Sequence, residues 1–322
     1  MLRRLIPDPF LVWLVGTVLL ASLLPARGQA AIAVGWLATL TVVLLFFFHG
    51  AKLAREQVVA GLVAWRLHLV ILTSTFVFLP LVGLAGATAF PRLLPRDLWT
   101  GVLFVCALPS TVQSAIAFVS MARGNVPAAI ASASASQMLC IVLTPVLMGL
   151  LAGTHGSGAG LTGMGEVALQ IFVPFVTGHL ARPWIGGFVA RHKVVIGVTD
   201  RATILVSVYA AFSAAVLEGL WRKLPAESFA LLLLVDGVLL AIGLAATWWF
   251  GRGFSREDRI AIQFCGTKKS LVQAVPMARV LFPPAQAGVI LLPMMLFHQM
   301  QLMACAFLAR RYAREAEGPT LP

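Results

Sequence analysis

Charge is what this sequence has least of. Only 11% of its 322 residues are charged, and the acids are half as frequent as the bases, 12 against 24. So little charge cannot clothe a soluble protein of this length. Cysteine is sparse as well: Cys106, Cys140, Cys265 and Cys305 share no metal-type spacing and all fall in apolar stretches, where they read as small packing residues. Paired acids, a metal cluster and a placed nucleophile are all missing, which argues against an intramembrane enzyme. The period-two alternation of a membrane barrel is missing too.

What remains is 60% hydrophobic, in runs near the ~20 residues that carry a helix across a bilayer. The sequence therefore predicts an all-α polytopic membrane protein. Ten spans can be drawn, at 10–25, 31–49, 67–87, 98–121, 126–152, 164–184, 197–217, 228–250, 258–281 and 286–309. Short connections leave no room for a soluble domain, so residues 1–322 form a single membrane domain. The start, Met1-Leu-Arg-Arg followed by an apolar run, resembles a secretory signal peptide. Its removal would leave an odd set of spans, so it is read as the retained first span.

The net charge of +12 is scattered through short loops, which points to lipid headgroups and topology rather than nucleic acid. With the N-terminus in the cytoplasm, sixteen basic residues, among them Arg3, Arg4, Lys52, Arg55 and Arg123, lie inside and six outside. That bias places both termini in the cytoplasm. Oligomeric state is not encoded in any pattern.

Two bases remain, Lys268 and Lys269, inside the ninth span. A lysine near the bilayer centre costs roughly 2.5–3.5 kcal/mol on the insertion scale, so a functional reason is expected. The same region carries an internal repeat. Residues 111–131 and 267–287 align without gaps and agree at nine of 21 positions, among them Thr111/Thr267, Ser114/Ser270 and Met121-Ala-Arg/Met277-Ala-Arg. The copies lie five spans apart, so the second enters the membrane inverted: repeat 1 covers about 10–152 and repeat 2 about 164–312. Inverted repeats with matching breakers, here Pro109 and Gly266, are the pattern of secondary transporters with a site near the midplane. The candidate lining is Thr111, Gln113, Ser114, Thr267, Lys268, Lys269 and Ser270, with Gln113 the repeat mate of Lys269. His298 and Gln301 share a face of the last span. Asp236, deep in the eighth span, is a candidate counter-ion for the lysines. Ser132, Ser134 and Ser136 read as packing residues.

The segments Phe47-Phe-His-Gly-Ala-Lys-Leu, Leu108-Pro-Ser-Thr-Val-Gln-Ser-Ala-Ile-Ala-Phe, Phe264-Cys-Gly-Thr-Lys-Lys-Ser-Leu and Leu296-Phe-His-Gln-Met-Gln-Leu resemble the bile acid:sodium symporter superfamily. The likeness is strongest to its divergent branch, which includes solute carrier family 10 member 7 and bacterial relatives. It implies two five-helix inverted repeats, a panel domain from spans 1, 2, 6 and 7, and a core domain from spans 3–5 and 8–10. It also implies broken, crossing spans 4 and 9 and residence in a bacterial inner membrane. Sodium-coupled members carry Glu-x-Gly-x-Gln-Asn in the ninth span. Here Phe264 stands at the acid and Lys268-Lys269 at the amide pair, which argues against sodium coupling by that mechanism and leaves the metal site without its acid. Two ammoniums about 6 Å apart repel by roughly 2.8 kcal/mol at an effective dielectric of ~20, which makes a proton the other candidate coupling ion. No cofactor is expected. The reading is a secondary transporter of a small organic anion. The alternatives are a non-transporting regulator of ion homeostasis and a sodium-coupled symporter with an altered site.

Overall fold

A computed structural model describes residues 9–52, 64–151, 168–223 and 225–317. Arg3, Arg4 and Arg55, and the expected span ends at 152 and 164–167, lie outside these residues. Every regular element among the described residues is helical. Among the described residues six helices are long and apolar enough to cross a membrane. Trp36, Leu40, Leu69 and Leu234 are exposed on them, and Trp13 and Leu23 on the shorter apolar helix Val12–Leu23, a surface suited to lipid and not to water.

In chain order the helices are α1 (Pro9–Leu23), α2 (Gly28–Lys52), α3 (Trp65–Ala89), α4 (Arg96–Ala107), α5 (Gln113–Met121) and α6 (Val126–Leu151). They continue with α7 (Val173–Arg191), α8 (Lys193–Leu217), α9 (Ala226–Phe250), α10 (Arg256–Thr267), α11 (Leu271–Leu281) and α12 (Pro284–Glu317). Where the sequence predicts a fourth and a ninth span, the structure has two half-length helices each, α4 with α5 and α10 with α11.

The chain divides into two compact units. The first holds α1, α2, α7 and α8 together with residues 275–291. Its closest approach is between α2 and α7, and glycine makes it possible. A Cβ on Gly50 would overlap the carbonyl of Phe175, and one on Gly178 would overlap that of Phe47. Backbones meet this closely only where small residues remove the side-chain layer. Lys52 and Asp200 form an ion pair at 3.0 Å in the same unit, and Thr203 donates to the carbonyl of Thr41 at 3.2 Å. Because backbone cannot move aside as a side chain can, Gly178→Ala is expected to cost about 1–3 kcal/mol of stability. A thermal melt of the purified protein in detergent that matches wild type would refute this close packing.

The second unit holds α3–α6, α9, α10 and the rest of α12. Leu67, Ile71, Val119, Ile260, Phe264, Cys265, Cys305 and Tyr312 form one buried apolar cluster in it. At its edge Tyr312 stacks on Trp248 with ring centroids 5.0 Å apart, and its hydroxyl donates to Gln263 at 2.8 Å. The entry into α10 is also fixed here. Ser255 caps its first turn by accepting from the Asp258 N–H, and Asn125 donates to the Asp258 carboxylate at 2.7 Å. α10 thus enters the unit at a fixed angle and delivers its C-terminal end, with both lysines, into the interior.

Candidate functional site: two helix breaks and two buried ammoniums

The first break follows from local chemistry. Proline disfavours helical backbone in the residue before it, and Leu108, preceding Pro109, is extended at φ −75°, ψ 153°. α4 therefore ends with carbonyls that have no helical donor. The Ser110 N–H that would have served Cys106 donates instead to the Ser136 hydroxyl at 3.0 Å. Thr144 donates to the Ala107 carbonyl at 2.7 Å. Among the carbonyls at this helix end that lose a helical donor are those of Cys106 and Leu108.

A third arises in α3. Its helix loosens into a π turn over Ser74–Phe78, where the Leu79 N–H donates to the Ser74 carbonyl. In that register the donor due to Thr75 would be residue 80, which is a proline without an N–H. The Thr75 carbonyl is left facing inward, an instance of the π bulges that recur at functional sites.

All three orphans are taken by one side chain. The Lys269 ammonium donates to the carbonyls of Thr75 at 2.9 Å, Cys106 at 2.7 Å and Leu108 at 2.8 Å. An ammonium has three N–H donors and no acceptor, so three carbonyls are its full complement. The C-terminal end of α4 also presents the negative pole of that half-helix, which favours a cation.

The second break has no proline. Lys268 is extended at φ −70°, ψ 141°, and the Lys269 peptide leaves the helix to pair with the side-chain amide of Gln301. The Lys269 N–H donates to Gln301 Oε1, and Gln301 Nε2 donates to the Lys269 carbonyl, each at 2.8 Å. Gln301 thus acts as one rung of a ladder in place of helical turns. Its amide orientation follows from the Lys269 N–H, which needs an acceptor. Gln301 Nε2 also lies 3.0 Å from His298 Nδ1, which must then be the acceptor and carry its proton on Nε2. Ser270 ends the break: its N–H donates to the Pro109 carbonyl at 3.0 Å, joining the two breaks directly, and its hydroxyl caps α11 at the Gln273 N–H. Gly266 permits the crowding, since a Cβ there would stand 3.0 Å from Thr247 and 3.3 Å from Ser74.

Lys268 is held differently. It is fully buried, its Nζ makes no hydrogen bond among the described residues, and it lies 4.6 Å over the Phe118 ring. A cation over an aromatic face keeps part of its solvation and none of its hydrogen bonds.

The remaining candidates divide. Thr267 is buried and bonded to Thr247 at 2.9 Å, a tie between α9 and α10. Thr111 is buried and accepts from Ser114 at 2.9 Å, at the start of α5. Gln113, the repeat mate of Lys269, is exposed. Asp236 is fully buried, but both its oxygens lack a partner among the described residues, so it pairs with neither lysine. It sits seven residues before Gly243, where α9 meets Thr267, and at 1.5 Å per residue that is roughly 10 Å along the helix. Sequence reasoning missed the carbonyls of Thr75, Cys106 and Leu108. Pro80 and Pro109, each a few residues downstream of the orphans it makes, were the available signal.

Residues 8–314 match the SBF-like CPA transporter family, and the chain belongs to it. It is a transporter of the bile acid:sodium symporter type, an integral membrane protein in contact with lipid. It is 50% identical over 312 residues to the Escherichia coli (strain K12) protein named "Putative symporter YfeH", which covers 96% of this chain and 94% of that one. It is also 50% identical over 317 residues to "Uncharacterized protein PA2026" of Pseudomonas aeruginosa, at 98% and 95% coverage. Sodium/bile acid cotransporter 7 of Rattus norvegicus is 28% identical over 322 residues, at 94% and 92% coverage.

Proposed function

We infer that this protein carries a small organic anion across a bacterial inner membrane by alternating access, with Lys269 as a built-in cation where sodium-coupled members of the superfamily bind sodium. The observation that carries the reading is the seat of three backbone carbonyls around the Lys269 ammonium. Backbone oxygens at the ends of broken helices are what a transporter offers a coupling ion. The residues do not fit a sodium ion in the usual way: the position of the family's acid is Phe264, fully buried with its ring 6.0 Å from that of Phe118. Lys268, buried without a hydrogen-bond acceptor among the described residues, supports an anionic cargo that would supply one, and a carboxylate or sulfonate on an apolar body suits a greasy site with few convergent polar groups.

The offset repeat, the paired breaks and the division into two units support ten spans in two inverted five-helix halves, with the first unit as panel and the second as core. The excess of basic residues in alternate loops supports cytoplasmic termini. Purified protein in liposomes should take up radiolabelled taurocholate faster than empty liposomes, at rates within about twofold whether sodium, potassium or choline is the external cation. Uptake more than tenfold faster in sodium than in choline would overturn the built-in cation.

A further inference from the structure

Asp236 has no role in the arrangement described so far. It lies in the middle of α9, is 0% exposed, and both carboxylate oxygens are without a hydrogen-bond partner among the described residues. A bare carboxylate cannot persist in such a place: an ionised group without donors costs far more to bury than the neutral acid, and acids inside membrane segments mark proton paths and ligand sites.

Among the described residues no cation donates a hydrogen bond to it. The Leu79–Ala89 part of α3, which packs on α9, has no titratable residue. On α10, Arg256, Glu257, Asp258 and Arg259 sit in the first turn, with Arg256 donating to the Tyr312 carbonyl and Arg259 to that of Trp248; Cys265 lies near the helix end, and Lys268, just past it, lies on Phe118. Arg252, in the turn after α9, is sixteen residues from Asp236. From α12, Met300 packs at the neighbouring Gly237, and His298, two residues earlier on that helix, lies 3.0 Å from the Gln301 amide. Cys106 of α4 lies in electrostatic reach of both Asp236 and Lys269. Cys106 is the residue whose carbonyl holds the Lys269 ammonium at 2.7 Å. The acid and the ammonium seat therefore share a residue.

We propose that Asp236 is a proton-binding site that couples this transporter to a proton gradient. The step is an exchange with water: the carboxylic acid gives its proton to a water molecule when the site opens on the less acidic side, and the carboxylate takes one up when it opens on the more acidic side. No other bond changes. Ionised Asp236 places a negative charge beside the end of α4, where it competes with the carbonyls of Cys106 and Leu108 for Lys269. Protonation removes that competition and leaves the two broken helices clamped. The coupling rests on the anion-transport reading above, but the proton site does not.

Two measurements on the full-length protein test it separately. Infrared difference spectroscopy across a pH series should reveal the carbonyl stretch of a buried carboxylic acid that fades as pH rises in wild type, is missing in Asp236→Asn and returns in Asp236→Glu. Identical wild-type and Asn spectra would overturn the proton site. In proteoliposomes, one unit of inward acid gradient should raise wild-type taurocholate accumulation by up to about tenfold, the ratio that one pH unit can support. Taurocholate is a sulfonate that stays ionised, so it cannot leak through as a free acid. In Asp236→Asn the ratio of uptake with and without the gradient should fall to about one, and a wild-type ratio in that variant would overturn the coupling. Wild-type protein that moves no taurocholate under either condition would overturn the transport reading, while the infrared series still decides the proton site.

Discussion

Lys269→Met should destabilise the protein by about 3–5 kcal/mol, the largest loss expected from any single substitution at the crossing. The variant removes the only donor shared by the carbonyls of Thr75, Cys106 and Leu108. Each buried carbonyl left without a donor costs about 1–3 kcal/mol, and for Thr75 and Cys106 the helical N–H cannot step in, because Pro80 has none and that of Ser110 is bonded to Ser136. Relief from burying an ammonium offsets part of the sum. A free ammonium such as ethylamine, small enough to occupy the vacated seat, should restore part of the loss. The check is thermal melting in detergent with and without ethylamine, and a variant that melts with wild type would show that the three bonds hold nothing together.

Lys268→Met should do the opposite to stability and more to transport. Among the described residues its ammonium has no hydrogen bond to lose and lies over the Phe118 ring face. Replacing an unpaired buried charge with an apolar chain of similar length is neutral or stabilising, by about 1–4 kcal/mol where buried charges have been exchanged for hydrophobic residues. Taurocholate uptake should nevertheless fall more than tenfold, because the cation that meets the anion is gone. A variant that is less stable than wild type yet transports normally would refute this assignment. The two neighbouring lysines thus make a paired test: one holds the fold, the other holds the cargo.

How much of this was legible beforehand depends on whether the cause was local. The apolar runs announced the helices, since only a helix satisfies its own backbone in lipid. The first break could be read from Pro109, because proline acts on its immediate neighbour. The second could not. Nothing in Gly266-Thr-Lys-Lys-Ser dictates that the Lys269 peptide will leave the helix for Gln301, 32 residues further on. The repeat located both breaks but suggested too much symmetry. It made Gln113 and Lys269 equivalents, whereas Gln113 is exposed and Lys269 is fully enclosed. A repeat preserves backbone register, not the identity of what a side chain reaches. Asp236 forms no hydrogen bond with either lysine for a related reason: depth in a span says how expensive a charge is, not which group it will bond.

The clamp at Lys269 also has an order in time. Its three carbonyl partners belong to α3 and α4, and the lysine follows them in the chain by 194, 163 and 161 residues. At about 5–20 residues per second of synthesis, the carbonyls of Cys106 and Leu108 wait roughly 10–30 seconds for their donor. Through that interval the nascent first half holds unsatisfied backbone at membrane depth, a state tolerated only against water or another protein surface. The early helices are therefore made incomplete, and the chain seals its first break only when α10 and the lysines after it have been delivered by the ribosome.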